Sequence, residues 1–226
     1  MLRYPMPMKA EYAAWIESQW REGNLMRPLA AVTRLSTDPE WFLSHYPVLR
    51  VLDPAQSGII NVCIMNDAAG KRPGSLLGTN RMHSTESFKV QTGVGINGEG
   101  YEFPVHGVRT TPASVSKEWY TLDSTGPALM MTAKLTGCTF IVRAGAVAGN
   151  VSVAHVQPDA NTNGLDLCAR ESEVAGQHCY GRSQYDFETR SVNIVGIRNA
   201  VGTWKIYAQK IEKHSLTIRS RKLIYP

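Results

Sequence analysis

The sequence predicts an α+β domain, in which two mixed β-sheets pack as a sandwich with flanking helices and long loops. Short runs of β-branched and aromatic residues recur along most of the chain, and turn-forming residues bound them, as is typical of strands. Few helices are expected, and the two clearest candidates lie in the first 50 residues. The 226 residues can bury one core, so residues 1–226 are interpreted as a single domain with a helical part, residues 1–50, packed on the sheets.

Two helices are predicted in the N-terminal part. Apolar residues recur at helical spacing over Lys9–Glu22, and a glycine ends the pattern. A second, shorter helix is expected over Trp41–His45. Asp38 is its candidate N-cap, and Pro39 is suited to the first helical position because its missing N–H would have no partner there anyway.

The strands are predicted from β-branched runs and from alternation of apolar and polar residues. The expected strands outside the hairpin described below are Gly58–Met65, Ser87–Thr92, Tyr101–Thr110, Glu118–Leu122, Ala128–Lys134, Ser191–Arg198, Thr203–Gln209 and Ser215–Tyr225. The segments Asn66–Asn80 and Gly93–Gly100 are expected to be long loops suited to binding, and Asn161–Ser183 to be loop with some turn or helix character.

Composition narrows the class of protein. The formal charge is +5 and the pI is about 9.1, yet Lys and Arg are dispersed and the densest basic run is only Arg219–Lys222. This dispersion and the lack of a recognition motif disfavour nucleic-acid binding. No apolar run approaches 18 residues, and the N-terminus lacks the apolar stretch of a signal peptide, so neither a membrane span nor a signal peptide is expected.

The stretch whose side chains are most suited to catalysis is a predicted hairpin formed by Cys138–Arg143 and Val151–Val156. If the strands pair antiparallel about the middle of the link, near residues 146 and 147, Cys138 lies directly opposite His155. Directly opposed residues share one face of a sheet, so the thiol and the imidazole would be neighbours. A register slip of one residue would put them on opposite faces.

A cysteine nucleophile needs a base or an imidazolium beside it, and the histidine needs a third group that fixes its ring. Gly137, directly before Cys138, allows a sharp turn, and peptide N–H groups of the Thr136–Gly137–Cys138 turn are candidates for an oxyanion hole. The alternative is that Cys138 is a small buried core residue and His155 an ordinary strand residue.

The segments LTGCTFIVRA and VAHVQP resemble the active-site segments of cysteine-dependent protein glutamine deamidases. The similar families are the catalytic domain of cytotoxic necrotizing factors, the Burkholderia lethal factor toxin and the chemoreceptor deamidases. The resemblance covers about 30 residues, and Val192–Gln209 is more loosely similar to the end of such domains. Two departures exist: Thr136 replaces the serine of the toxin motif, and 17 positions separate Cys138 from His155, more than in the necrotizing factors.

The resemblance implies that Cys138 is the nucleophile, that His155 is the general base and acid, and that Thr132, six positions before the cysteine, orients the histidine through its backbone carbonyl. The reaction would convert a surface glutamine of a protein substrate into glutamate, with no cofactor and no metal. The implied protein is a monomeric bacterial toxin or effector, secreted by a non-classical route into the host cytoplasm and acting on a translation-initiation helicase or a Rho GTPase.

Other interpretations stay open at this point. The chain could be a chemoreceptor-type deamidase in the bacterial cytoplasm, or the same dyad could support peptidase or transglutaminase activity. A non-catalytic module that binds a partner through its long loops is the alternative from a different class. The remaining cysteines read as free thiols, although pairing of Cys168 with Cys179 is not excluded, and His178 with these thiols has too few ligands for a zinc site. His106 is a candidate substrate contact or a core histidine.

Overall fold

A computed structural model describes residues 28–51, 54–66, 87–92 and 100–226. In these ranges the chain forms two mixed β-sheets and three α-helices, which confirms the predicted sheet-rich α+β class. The strands in chain order are β1 (Val48–Val51), β2 (Gly58–Asn66), β3 (Phe88–Thr92), β4 (Tyr101–Val108), β5 (Thr110–Pro112), β6 (Tyr120–Leu122), β7 (Leu129–Thr132), β8 (Thr139–Ala144), β9 (Val151–Gln157), β10 (Gln177–Tyr180), β11 (Arg190–Arg198), β12 (Trp204–Glu212) and β13 (Ile218–Tyr225).

The larger sheet has eight strands in the order β1-β3-β2-β4-β7-β11-β12-β13. Its pairs are antiparallel except for β1 with β3 and β4 with β7, which run parallel. The smaller sheet has the order β10-β8-β9-β5, and β6 pairs with the other end of the same edge of β9. Strand β9 is therefore central in the smaller sheet, where both of its edges are hydrogen-bonded.

The helices are α1 (Pro28–Thr37), α2 (Pro39–His45) and α3 (Gly164–Ser172). Asp38 caps α2 as predicted, because its side chain accepts a hydrogen bond from the Trp41 N–H at 3.1 Å. Asn163 caps α3 in the same way, through the N–H groups of Leu165 and Asp166. The segment expected to be loop with some helix character thus contains a full helix and the strand β10.

Three apolar clusters show that the molecule is layered. The first packs α1 and α2 on the outer face of the larger sheet, and the third packs Leu167 of α3 on the outer face of the smaller sheet. The second lies between the sheets and includes Met130 and Trp204 from the larger sheet and Phe140 and Val153 from the smaller one. A residue on the inner face of either sheet therefore projects into one shared core.

Most of the predicted strands are confirmed with ends that differ by a few residues. The predicted helix over Lys9–Glu22 and most of the two long loops lie outside the described residues. The described residues 28–45 form two helices that pack on the larger sheet, and β1, Val48–Val51, begins within the part that was predicted to be helical.

Candidate active site

The hairpin formed by β8 and β9 is present, but its register differs from the prediction. Phe140, rather than Cys138, lies opposite His155, and Cys138 precedes the first residue of β8. The turn lies further along the link than expected: the Asn150 N–H bonds the Val147 carbonyl at 3.0 Å, and Gly149 has a φ of 84°. A positive φ is readily adopted by glycine, so the position of Gly149 selects the turn and with it the register.

The shift amounts to two residues and therefore preserves the face of each side chain. Cys138 lies in the core between the sheets together with Phe140. The rings of Phe140 and His155 meet edge to face, with centroids 6.3 Å apart. Cys138 thus stands diagonal to His155 on one face of the sheet. Diagonal residues of an antiparallel pair have Cα atoms about 7–8 Å apart, a separation that a long or aromatic side chain such as histidine can span.

His155 is held on its Nδ1 side by two threonines. The Thr132 Oγ1 lies 2.7 Å from Nδ1, and the Thr110 Oγ1 lies 3.3 Å from the same atom. The ring is only 1% exposed, and Nε2 is buried as well. Because Thr132 belongs to the larger sheet and His155 to the smaller one, this hydrogen bond ties the two sheets together.

The hydrogen bonds of Thr132 define the tautomer of His155. The Thr132 hydroxyl has one proton, and it donates that proton to the Val108 carbonyl at 2.6 Å. Toward Nδ1 the oxygen must therefore act as acceptor, so Nδ1 carries a proton. In the neutral ring the lone pair is then on Nε2, which is the nitrogen that a general base would use. Thr132 orients the histidine through its side chain, whereas the predicted contact was through its backbone carbonyl.

Strand pairing explains why Thr132, Thr110 and His155 meet. The parallel pair β4–β7 places Val108 beside Thr132, and the parallel pair β5–β9 places Thr110 beside His155. Only Arg109 separates β4 in the larger sheet from β5 in the smaller one. The chain crosses from one sheet to the other at this point, so the Val108 carbonyl, which accepts from Thr132, and the Thr110 hydroxyl, 3.3 Å from Nδ1 of His155, come from positions two apart in the chain.

The turn that carries the thiol is bent and pinned. Gly137 has a φ of 130°, in a region that L-residues with a side chain rarely adopt. Its N–H donates to the Tyr185 hydroxyl at 2.8 Å, and that hydroxyl donates to the Cys138 carbonyl at 3.1 Å. Burial raises the pKa of Tyr185 far above its ordinary value, so the hydroxyl keeps the proton that this second bond requires.

Tyr185 changes what the turn offers for oxyanion binding. The Gly137 N–H already donates to Tyr185, so we expect the contribution of Gly137 to be conformational. Thr136 is exposed, Gly137 is half-buried and the Cys138 side chain is 8% exposed. The sulfur thus lies just beneath an open turn. Whether the turn holds an oxyanion stays a prediction.

The segment on the far side of the turn packs too closely for larger residues. A Cβ atom on Gly164, the first residue of α3, would lie 2.6 Å from the Gly137 carbonyl oxygen and 2.9 Å from Cδ of Arg182. A Cβ on Gly181 would lie 2.4 Å from the Thr139 hydroxyl. These glycines let α3 and the segment after β10 close around the thiol turn.

The remaining candidates lie elsewhere. His106 is buried in the inner layer, with Nδ1 2.8 Å from the Tyr120 hydroxyl, and burial lowers its pKa. Cys168 and Cys179 are free thiols, and burial raises the pKa of Cys179 to about 11. Among the residues that the structure describes, no group of three His, Cys, Asp or Glu side chains is arranged to hold a metal ion.

Sequence reasoning missed Tyr185 and Thr110. Tyr185 follows a short 3-10 helix, Arg182–Gln184, in a segment without periodicity, so its contact with the thiol turn had no signal in the sequence. Thr110 is the last residue of a predicted strand, and this position was the one signal that the sequence offered. Its contact with His155 nevertheless depends on the crossing between sheets, which no local pattern reveals.

Comparison with known proteins adds no relative. No family model matches the chain, and no curated protein matches it. None of the helices in the described ranges is long and apolar enough to cross a membrane.

Proposed function

We propose that the chain is a protein glutamine deamidase in which Cys138 is the nucleophile, His155 the general base and acid, and Thr132 the residue that orients the imidazole. The observation that carries the proposal is the 2.7 Å hydrogen bond between Thr132 and Nδ1 of His155, on the same sheet face as Cys138. A core histidine needs only a satisfied ring. A catalytic one needs a defined tautomer, and the Thr132–Val108 bond supplies it.

The reaction would proceed in two steps. Nε2 of His155 takes the thiol proton, and the Cys138 thiolate attacks the side-chain carboxamide carbon of a glutamine. The protonated Nε2 then gives its proton to the leaving nitrogen, so that ammonia departs and a thioester remains. In the second step Nε2 takes a proton from water, which attacks the thioester and releases glutamate and the thiol. Each proton taken by the imidazole is returned, and the proposed reaction uses no cofactor.

The threonine has an electrostatic as well as a positional part in this scheme. When Nε2 is protonated, the ring is a cation and Nδ1–H becomes a stronger donor. The Thr132 oxygen then stabilises the imidazolium more than the neutral ring, and Thr110 lies on the same side at 3.3 Å. The hydrogen bond thus favours the state in which the thiolate exists.

The biological setting belongs to the proposal as well. The resemblance to the necrotizing factors and to the Burkholderia lethal factor favours a toxin or effector that acts as a monomer on a host protein, such as a translation-initiation helicase or a Rho GTPase. A chemoreceptor-type deamidase would use the same chemistry on another substrate. In either setting, one neutral amide becomes a negative charge in the target.

Incubation with host-cell lysate and with bacterial lysate, followed by peptide mass spectrometry, tests the function. We expect a gain of about one dalton at particular glutamines, which is the mass difference between glutamine and glutamate. The gain should be lost in Cys138→Ser and His155→Ala and retained in Cys179→Ser. Cys179 is the matched thiol control, because its raised pKa keeps it protonated. Conversion that persists in Cys138→Ser would contradict the proposal.

One observation favours the alternative of a non-catalytic binding module: Cys138 is buried in the inner core. Iodoacetamide labelling of the folded protein at neutral pH separates the two functions. Selective modification of Cys138 that falls in His155→Ala supports an enzyme. Four equally unreactive thiols would support the module.

A further inference from the structure

We infer that the substrate segment around the target glutamine is acidic, because three cations, defined here as the basic rim (Arg182, Lys210 and Lys222), lie beside the thiol turn without a carboxylate partner. This inference rests on the proposed function, since it concerns what the same site recognises. It specifies the chemistry of the partner: a protein segment with Asp or Glu on at least one side of the glutamine.

Contacts connect the rim to the turn. The Lys210 Nζ donates to the carbonyl of Gln184 at 2.7 Å, and Gln184 directly precedes Tyr185, whose hydroxyl holds the turn. The Lys222 Nζ lies 5.7 Å from the centroid of the Tyr180 ring, which stacks on Tyr185 with centroids 6.3 Å apart. Lys210 therefore contacts the residue next to Tyr185 in the chain, and Lys222 is separated from Tyr185 by the Tyr180 ring.

Arg182 reaches the turn from the other side. Its Cδ is 2.9 Å from the point that a Cβ on Gly164 would occupy, and that point is 2.6 Å from the Gly137 carbonyl oxygen. The guanidinium carbon lies 4.0 Å from the centroid of the Phe187 ring. The aliphatic part of Arg182 thus borders the thiol turn, while its charged end rests on an aromatic face.

The charge of this region is not balanced internally. Burial lowers the pKa of Lys210, and the positive charges of Arg190 and Lys222 lower it further. Glu212 lies 2.9 Å from both Arg190 and Arg219, so one carboxylate serves two arginines. Among the described residues, no carboxylate lies within 4.0 Å of the charged groups of the rim. Like charges held together without counterions favour an anionic ligand.

The surroundings favour carboxylates over nucleotides. Single-stranded nucleic acids are held by exposed aromatic rings on which bases stack. Tyr180 and Tyr185 are 2% and 4% exposed, and the half-buried ring of Phe187 lies under the Arg182 guanidinium at 4.0 Å, so none of the three presents a free face for stacking. A protein segment also agrees with the chemistry proposed for the thiol, since it would present the glutamine and the carboxylates on one chain.

A binding experiment on the full chain with Cys138→Ser tests the inference independently of catalysis. The probe is a fluorescent peptide with one central glutamine flanked by glutamates, compared with a peptide of equal length in which asparagine replaces the glutamates. We expect the acidic peptide to bind and the neutral one not to bind. Addition of Arg182→Glu and Lys222→Glu should weaken binding about tenfold or more, since two attractive contacts become repulsive.

Lys205→Glu is the matched control. Lys205 lies on β12 five positions before Lys210, and strand alternation puts it on the opposite face of the sheet. Lys205→Glu makes the same charge change as either rim substitution alone, so Arg182→Glu and Lys222→Glu are also measured singly, and we expect Lys205→Glu to leave binding unchanged. If the glutamate variants unfold, Arg182→Gln with Lys222→Gln replaces them, with a smaller expected loss.

Three outcomes would overturn the inference: equal binding of both peptides, equal loss in Lys205→Glu and in the rim variants, or tighter binding of a single-stranded oligonucleotide or of phosphatidylserine vesicles at matched charge. Deamidation of the acidic peptide by the chain with Cys138 intact is scored separately. Binding without conversion would contradict the proposed function and leave the acidic partner standing. Conversion that does not depend on the charge of the peptide would support the proposed function and contradict the acidic partner.

Discussion

Replacing Tyr185 by phenylalanine removes one oxygen atom from the centre of the candidate site. The ring stays in place, because its stacking on Tyr180 with an interplanar angle of 4° does not involve the hydroxyl. Two backbone groups lose their partner: the Gly137 N–H, at 2.8 Å from that oxygen, and the Cys138 carbonyl, at 3.1 Å. The variant therefore tests whether the thiol turn depends on this single bridge.

The expected cost follows from the burial of the two groups. A buried backbone group left without a partner costs about 1–3 kcal/mol. Gly137 is half-buried, so water can replace the lost bond to its N–H, whereas the Cys138 carbonyl lies in a buried residue. We expect a loss of about 1–3 kcal/mol in the free energy of unfolding, or about 2–12 °C in Tm for a chain of this size.

Denaturant unfolding measures the stability, and hydrogen exchange of the peptide containing Gly137 measures the local bridge. Tyr180→Phe is the matched control, since it leaves the contacts of the thiol turn unchanged. We expect a smaller loss of stability than in Tyr185→Phe and unaltered exchange at Gly137. Equal stability and equal exchange protection in the two phenylalanine variants would refute the reasoning.

Three further predictions concern the same layer. Thr132→Val should lower the rate of deamidation or of Cys138 labelling about 10–100-fold, because a hydrogen bond to a charged imidazole is worth about 1.5–3 kcal/mol. Thr132→Ser keeps the hydroxyl and should retain most of the rate. Equal rates in both variants would show that the hydroxyl does not act on His155. Gly137→Ala should cost about 1–3 kcal/mol of stability from backbone strain alone, since the added Cβ would meet no other atom within 4 Å. A Cβ on Gly58 would also meet open space, but Gly58 has no positive φ, so Gly58→Ala should not destabilise the protein. Thermal unfolding of the two variants measures the difference. The lowered pKa of His106 means that the unfolded chain binds a proton more readily, so stability should fall as the pH drops below about 6.5. His106→Asn should reduce that slope, by at most about 1.4 kcal/mol per pH unit, in denaturant unfolding between pH 7 and 5; identical slopes would exclude the role of His106.

Local chemistry accounts for the parts of the fold that the sequence predicted correctly. The start of α2 at Asp38 and Pro39 needs only a side chain that accepts a hydrogen bond from an N–H of the first turn, followed by a residue that has no N–H of its own. The strands β8 and β9 follow from short β-branched runs on either side of a glycine-containing link. These features depend on residues within a few positions of each other, so the sequence displays them.

The register of the hairpin marks the limit of that reasoning. The link contains two glycines, Gly145 and Gly149, and either allows a turn. The predicted and observed registers differ by two residues and put the same side chains on the inner face, and the observed pairing of Phe140 with His155 goes with a turn in which Gly149 has a φ of 84°. The alternation of apolar residues is the same in both registers, so it does not indicate which glycine forms the turn.

Local residue patterns were enough to predict the sheet-rich class and the hairpin, with a cysteine where its first strand begins and a histidine on its second strand. The groups that surround this cysteine and this histidine depend on how the whole chain folds. Thr110, Thr132 and Tyr185 come from β5, from β7 and from the segment after the 3-10 helix, and they meet because the two sheets stack and the chain crosses between them. Such contacts join residues far apart in the chain, and their energy is gained only when the core between the sheets is assembled.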